Sequence, residues 1–179
     1  MTVVPLTELP GRLAPRRRLL GLDLGAKTIG VAISDAGLKV ASPLETLRRG
    51  KFTHDAEALA RLCDERGVGA LVLGLPLNMD GSEGPRCQSV RQFAANLAEV
   101  AGLALPVAFW DERLSTAAVE RLLIEEADMS RRRRAQVVDK MAAAYILQGA
   151  LDALAHMAGD PHGGADDPHG GADDPQGGA

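Results

Sequence analysis

Two apolar runs near the amino terminus, Leu19 to Leu24 and Ile29 to Ser34, are separated only by Gly25-Ala26-Lys27-Thr28. A connection this short cannot carry a crossover, so the two runs must pair antiparallel as a hairpin. The turn signal Asp35-Ala36-Gly37 follows, and a third strand near Lys39 to Ser42 extends the hairpin to a meander. Beyond it the period changes. Ala56, Leu59, Ala60 and Leu62/Cys63 recur at helical spacing within Thr53 to Arg66, before a stop at Gly67. Ala70 to Leu75 is a continuous apolar run ending at Pro76, Arg86 to Val100 is a helix with Val90, Phe93, Ala94, Leu97 and Val100 on one face, and Pro106 to Trp110 is a further strand. Ser115 or Thr116 caps a helix carrying Val119, Leu122 and Leu123. The last helix runs from about Ala135 to Met157, with Val138, Met141, Ala142, Tyr145, Ile146, Leu151 and Leu154 on its inner side. A meander continued by alternating helices and strands predicts an α/β mixed sheet with helices on both faces.

At 179 residues and 46% apolar content the chain suits one domain with a real core. Residues 1–17, with three prolines and Gly11 in the first 15, read as a flexible leader, and 18–157 as the folded domain. Residues 158–179 repeat Gly, Pro, Asp and His with no large apolar group; such a tail cannot offset the entropy of ordering and reads as disordered. His162 and His169 within it make a poor metal site. The net charge of −4 at first argues against a nucleic-acid binder, but five aspartates lie in residues 159–179 without a single Lys or Arg. The rest of the chain is near neutral, so local clusters decide. No run approaches the roughly 18 apolar residues of a membrane span, and the first residues lack the order of a secretion signal. These features read as a cytoplasmic protein without a membrane partner. Cys63 and Cys87 stand apart with no CxxC or Cys/His cluster, which favours buried structural thiols over a zinc site.

Three carboxylates carry the chemistry. Alternation along the first strand puts Gly21, Asp23 and Gly25 on one face and Leu20, Leu22 and Leu24 on the other. An acid facing a core without a partner is expensive, so an Asp flanked by glycines marks a site with room above it. The last strand ends in Trp110-Asp111-Glu112-Arg113, and spacing alone leaves open which of Asp111 and Glu112 looks toward Asp23. Asp139 lies early in the final helix, just after Arg131, Arg132, Arg133 and Arg134, a run suited to phosphate oxygens. Separated carboxylates converging at one end of a sheet suit Mg2+ or Mn2+ and phosphodiester hydrolysis.

Four segments make a resemblance specific: Gly21-Leu-Asp23-Leu-Gly25-Ala-Lys27-Thr28-Ile-Gly30-Val-Ala, Gly74-Leu-Pro-Leu-Asn78-Met-Asp80-Gly81, Asp111-Glu112-Arg113-Leu-Ser115-Thr116 and Val138-Asp139-Lys140-Met-Ala-Ala. In order and content they resemble the signature blocks of the YqgF/RuvX family. The resemblance implies a ribonuclease-H-like fold and an acidic triad of Asp23, Glu112 and Asp139 that binds Mg2+ or Mn2+ and catalyses cleavage. It also places Lys27, Asn78 and Arg113, with Arg131 to Arg134, at the nucleic acid. The family is linked to maturation of the 5′ end of pre-16S ribosomal RNA, which would make precursor RNA or the ribosome precursor the partner. The alternative is resolution of branched DNA at Holliday junctions, which needs two symmetric sites and hence a homodimer, whereas an RNA nuclease can act as a monomer. A non-catalytic RNA-binding module and a nucleotide-binding hairpin of the actin and Hsp70 kind are the readings from other classes.

Overall fold

The computed structural model describes residues 2–114 and 131–159. The helix expected after Ser115 and the repeat tail lie outside the described residues. Five strands form one sheet: β1 (Arg18–Leu24), β2 (Thr28–Ser34), β3 (Ala41–Arg48), β4 (Val68–Leu75) and β5 (Val107–Asp111), in the order β3-β2-β1-β4-β5. The β1–β2 and β2–β3 pairs are antiparallel, and β1–β4 and β4–β5 are parallel. Among the described residues the helices are α1 (Leu9–Arg12), α2 (Phe52–Arg66), α3 (Pro85–Ala101) and α4 (Arg131–Gly159). The protein therefore has the expected ribonuclease-H-like mixed sheet, its meander continued by parallel strands.

The two faces of the sheet are built differently. Leu20, Leu22, Ile29, Val31, Leu71 and Leu73 pack with Leu59 of α2 and Val90 and Leu97 of α3 in one apolar layer. On the other face Ala32, Ala70, Val72 and Ala108 meet Ala143, Leu147 and Leu151 of α4. That second face is short of side-chain bulk. A Cβ on Gly21 would stand 2.7 Å from the Leu147 Cβ, and one on Gly30 would overlap the Asp139 carbonyl oxygen. The long helix thus rests almost directly on strand backbone.

Three details depart from expectation. The third strand begins at Ala41 and runs to Arg48, later and longer than Lys39 to Ser42. Asp35 is the cause: its carboxylate accepts the backbone N–H groups of Gly37, Lys39 and Val40, which holds Lys39 and Val40 in the turn. The inner row of α4 is Ala143, Ile146, Leu147, Ala150, Leu151 and Leu154, while Val138, Met141, Ala142 and Tyr145 are only half-buried. Close approach to a glycine-rich face selects small side chains, so alanines displace the larger residues that a pattern search favours. The amino-terminal segment, expected as a leader, docks: Leu9 is fully buried, and Val4 N–H donates to the Val107 carbonyl at 2.9 Å. Apolar residues between its prolines repay that ordering.

Both thiols are buried, as expected of structural cysteines. Burial pushes the Cys63 thiol up to about 12, and the Cys87 thiol points at the Pro76 carbonyl at 3.1 Å. Native protein at pH 8 should take up no iodoacetamide at either position, while denatured protein takes up both, because the thiolate is the nucleophile. Mass spectrometry after a short labelling pulse reads this directly.

Candidate active site

Asp23 sits one residue before the end of β1, paired with Gly30 of β2. On its other side the parallel register reaches Leu22–Leu73, and the next residue of β4 is Gly74. Asp23 is thus flanked across the sheet by glycine on both sides, which lets α4 and the residues after β5 close over its flanks and leaves Asp23 in a recess between them. The Asp139 peptide lies directly over Gly30. A Cβ on Gly74 would meet Glu112 Oε1 at 2.5 Å and Ile146 Cδ1 at 2.6 Å, so Glu112 lies over the other flank. Three elements of the chain, β1, the 3-10 turn Glu112–Leu114 and α4, therefore bring Asp23, Glu112 and Asp139 to one recess.

The electrostatics agree with this geometry. Burial first, and then the charge of Asp139, raise the Asp23 carboxyl to about 6, against a smaller opposing pull from Arg86. Burial first, and then Asp23, raise Glu112 to about 7, again opposed by Arg86. Crowded, partly desolvated carboxylates resist ionisation together. Among the described residues, Arg86 is the one cation that acts on both acids.

Asp111 behaves differently. Its carboxylate accepts Arg113 Nη2 at 2.6 Å and Nε at 2.9 Å, and these bonds hold it below the usual carboxylate range. The pairing engages Asp111 with a cation of its own, whereas Glu112 is raised by burial and by Asp23. Arg113 also reaches the Met79 carbonyl at 3.4 Å, tying the end of β5 to the loop after β4. Asn78, in that loop, is exposed and donates to Ser82 Oγ at 2.9 Å. Lys27 is exposed at the tip of the β1–β2 hairpin. The backbone of Arg131 to Arg134 forms the start of α4, and the side chains of these four lie outside what is described.

Arg86 was not among the residues expected from sequence. It stands in the first turn of α3, exposed, close enough for its charge to act on both Asp23 and Glu112. Only the hint of a Pro-Arg pair opening a helix after a glycine could have pointed to it.

An all-oxygen donor set without Cys or His fits a hard divalent cation, and a positive ion in the recess would relieve the repulsion between its acids. Among the described residues no three His, Cys, Asp or Glu side chains are grouped closely enough to hold an ion as they stand. The fit therefore rests on donor chemistry and on the mutual influence of the acids. Among the described residues no helix is long and apolar enough to cross a membrane.

Comparison with known proteins bears on the same segments. A protein of Paramagnetospirillum magneticum named "Putative pre-16S rRNA nuclease" is 62% identical over 152 residues, covering 85% of this chain and 96% of its own length. A protein of the same name from Phenylobacterium zucineum is 60% identical over 157 residues, covering 88% of this chain and all of the relative. Among solved structures, the RuvC of T. thermophilus in complex with Holliday junction substrate is similar at a TM-score of 0.49 and 14% identity, over 76% of this chain and 94% of that one. The family model described as "RuvX: Holliday junction resolvase" matches residues 17–153. That span holds the hairpin, the recess and all three of its carboxylates, and the chain belongs to the RuvX/YqgF family.

Proposed function

We propose that this protein is a metal-dependent nuclease that hydrolyses phosphodiester bonds in precursor ribosomal RNA, at the 5′ end of pre-16S rRNA. The observation that supports the reading is that Asp139 acts on Asp23 and Asp23 on Glu112 at the glycine-flanked end of β1, where Asp23 and Glu112 are raised by burial and by these neighbours. These three would hold Mg2+ or Mn2+. Such an ion, when bound, supplies activation of water and stabilisation of the departing oxygen. Asp23 offers its carboxylate from a rigid central strand, and Asp139 from a helix seated on that sheet, so their separation is set by packed backbone. Arg86 stands beside both Asp23 and Glu112 as a cation suited to a substrate phosphate oxygen. Lys27, Asn78, Arg113 and Arg131 to Arg134 provide the remaining contacts to the nucleic acid in this reading.

The relatives' name favours RNA, and the family description favours a four-way DNA junction as the second substrate. Purified protein incubated with pre-16S rRNA and with a four-way junction, each with Mg2+, with Mn2+ and with EDTA, separates them. Metal-dependent cleavage of the RNA is expected. Cutting confined to the junction would establish the resolvase reading, and tight RNA binding without cleavage by any metal would establish a non-catalytic one.

The neighbouring acids provide a sharper test within the same assay. Asp111→Asn should keep its rate within about fivefold of wild type, since it loses only a surface ion pair with Arg113. Glu112→Gln should lose nearly all activity. The reverse ranking would place the metal on Asp111.

A further inference from the structure

Behind the hairpin tip, on the α3 side of the sheet, lies a cleft of about 310 Å3. Arg49, Arg86, Ser89, Val90 and Phe93 line it, together with Gly25 and its neighbours in the turn. Among the described residues its only charged lining groups are the two arginines, with no carboxylate among them. In a chain whose domain is near neutral overall, two guanidinium groups on one cleft mark a place for an anion.

Arg49 is held in position. Its Nη1 donates to the Gly25 carbonyl at 2.7 Å, its guanidinium lies 5.7 Å from the centroid of the Phe93 ring, and its own N–H donates to the Lys27 carbonyl at 2.9 Å. The next residue is fixed as well, because Gly50 N–H donates to the buried Asp55 carboxylate at 3.1 Å. One bond to Gly25 leaves the rest of the guanidinium fork to meet an anion. Arg86 lines the cleft while its charge acts on Asp23 and Glu112 on the other face of the sheet, so Arg86 links the two sites around the end of β1.

We propose that this cleft is a second phosphate subsite, in which Arg49 and Arg86, aided by the Ser89 hydroxyl, hold a backbone phosphate of the substrate strand next to the one placed over Asp23. The proposal deepens the nuclease reading and rests on it for the direction of the strand. The cleft has room for the phosphate and sugar of one nucleotide, which suits a single strand bent over the end of β1. Guanidinium pairs bind phosphate through parallel N–H bonds, and their contribution to affinity is salt-dependent. No contact to a base is involved, so the subsite adds grip without sequence preference.

The test measures binding of a fluorescein-labelled single-stranded RNA oligonucleotide in EDTA across a series of NaCl concentrations, so that cleavage plays no part. Arg49→Gln and Arg86→Gln should each weaken binding several-fold at low salt and reduce the log–log salt slope by about 0.7, the value of one lost single-strand phosphate contact. Arg61→Gln, exposed on α2 and away from the cleft, should leave the slope unchanged. Should Arg49→Gln fold poorly, Ser89→Ala, which removes only an exposed hydroxyl of the cleft, carries the test through weaker RNA binding. Slopes equal to wild type in both variants, or no RNA binding by wild type, overturn the subsite. Inorganic phosphate at matched ionic strength forms a second arm: a phosphate-induced rise in Tm lost in Arg49→Gln, with the RNA slope unchanged, would reassign the cleft to a free anion. The two readings fail separately. Reduced slopes in a protein that cuts nothing with Mn2+ would sink the nuclease reading and keep the subsite, whereas cleavage with unchanged slopes would do the opposite.

Discussion

Asp23→Asn should abolish metal-dependent cleavage and, in EDTA at pH 8, should make the protein more stable than wild type. An amide preserves the size of the side chain and removes the charge that would hold a cation. Outer-shell partners of metal ligands already cost about 10- to 100-fold when lost, so a ligand itself should cost at least about a hundredfold. The stability gain follows from the raised carboxyls. Asp23 moves from 3.8 to about 6 on folding and Glu112 from 4.5 to about 7. Between those limits the folded protein binds more protons than the unfolded chain, so wild-type stability falls as pH rises through roughly 4 to 7. Removing the Asp23 charge takes away its own penalty and relieves Glu112, a gain on the order of 2 kcal/mol at pH 8 and only a small fraction of that at pH 4. Urea unfolding of both proteins at the two pH values in EDTA measures it. Mn2+ should then stabilise wild type and leave Asp23→Asn unchanged. If the variant proves less stable than wild type at pH 8, the carboxylates do not crowd one another as described, and near-normal cleavage by it would remove Asp23 from the chemistry.

The second large effect lies in a residue without a side chain. Gly30→Ala should destabilise the protein by about 3 kcal/mol, at the upper end of ordinary overpacking costs. For a domain of this size that is a fall in Tm of about 6–12 °C. The backbone of Gly30 is ordinary strand, so an alanine there meets no conformational strain of its own. Its Cβ meets the Asp139 carbonyl, and a main-chain atom in the early turns of a packed helix cannot swing aside as a side-chain tip can. Relief would require α4 to lift from β2, carrying Asp139 away from Asp23. The variant should therefore lose Mn2+-induced stabilisation as well as stability. A Tm within about 2 °C of wild type would mean that α4 does not press on β2 at this point.

Much of this architecture is legible in the sequence, and the failures have physical causes. The hairpin follows from two apolar runs and four turn residues, and its register places Asp23 opposite Gly30 with Leu20, Leu22 and Leu24 on the far face. Period-two alternation encodes such a face directly. The start of β3 is hidden because Asp35 draws Lys39 and Val40 into a turn through side-chain bonds that no hydrophobic pattern records. The inner row of α4 is misread for another reason. Size complementarity to glycines on a distant strand favours Ala143 and Ala150 over Tyr145, and that is a property of the pair of surfaces. Resemblance selects Glu112 over Asp111, and in the structure Asp111 is the acid engaged by Arg113. Arg86 and Arg49 were not legible, since neither belongs to a spaced pattern with the acids. They come to the site only through the placement of α3 and of the segment following β3.

The bare glycine row under α4 also inverts the usual division between what an enzyme can lose and what it must keep. The acids crowd one another when no cation is present, so the folded chain tolerates their loss well. Gly21 and Gly30 are the opposite, because any side chain there strikes the helix. In a duplicated gene no longer selected for cleavage, drift should erase the charges at positions 23, 112 and 139 well before it touches those glycines. The descendant would keep the shape of the recess and the surface around it, and would be well prepared to serve as a receptor for the molecule its ancestor cut.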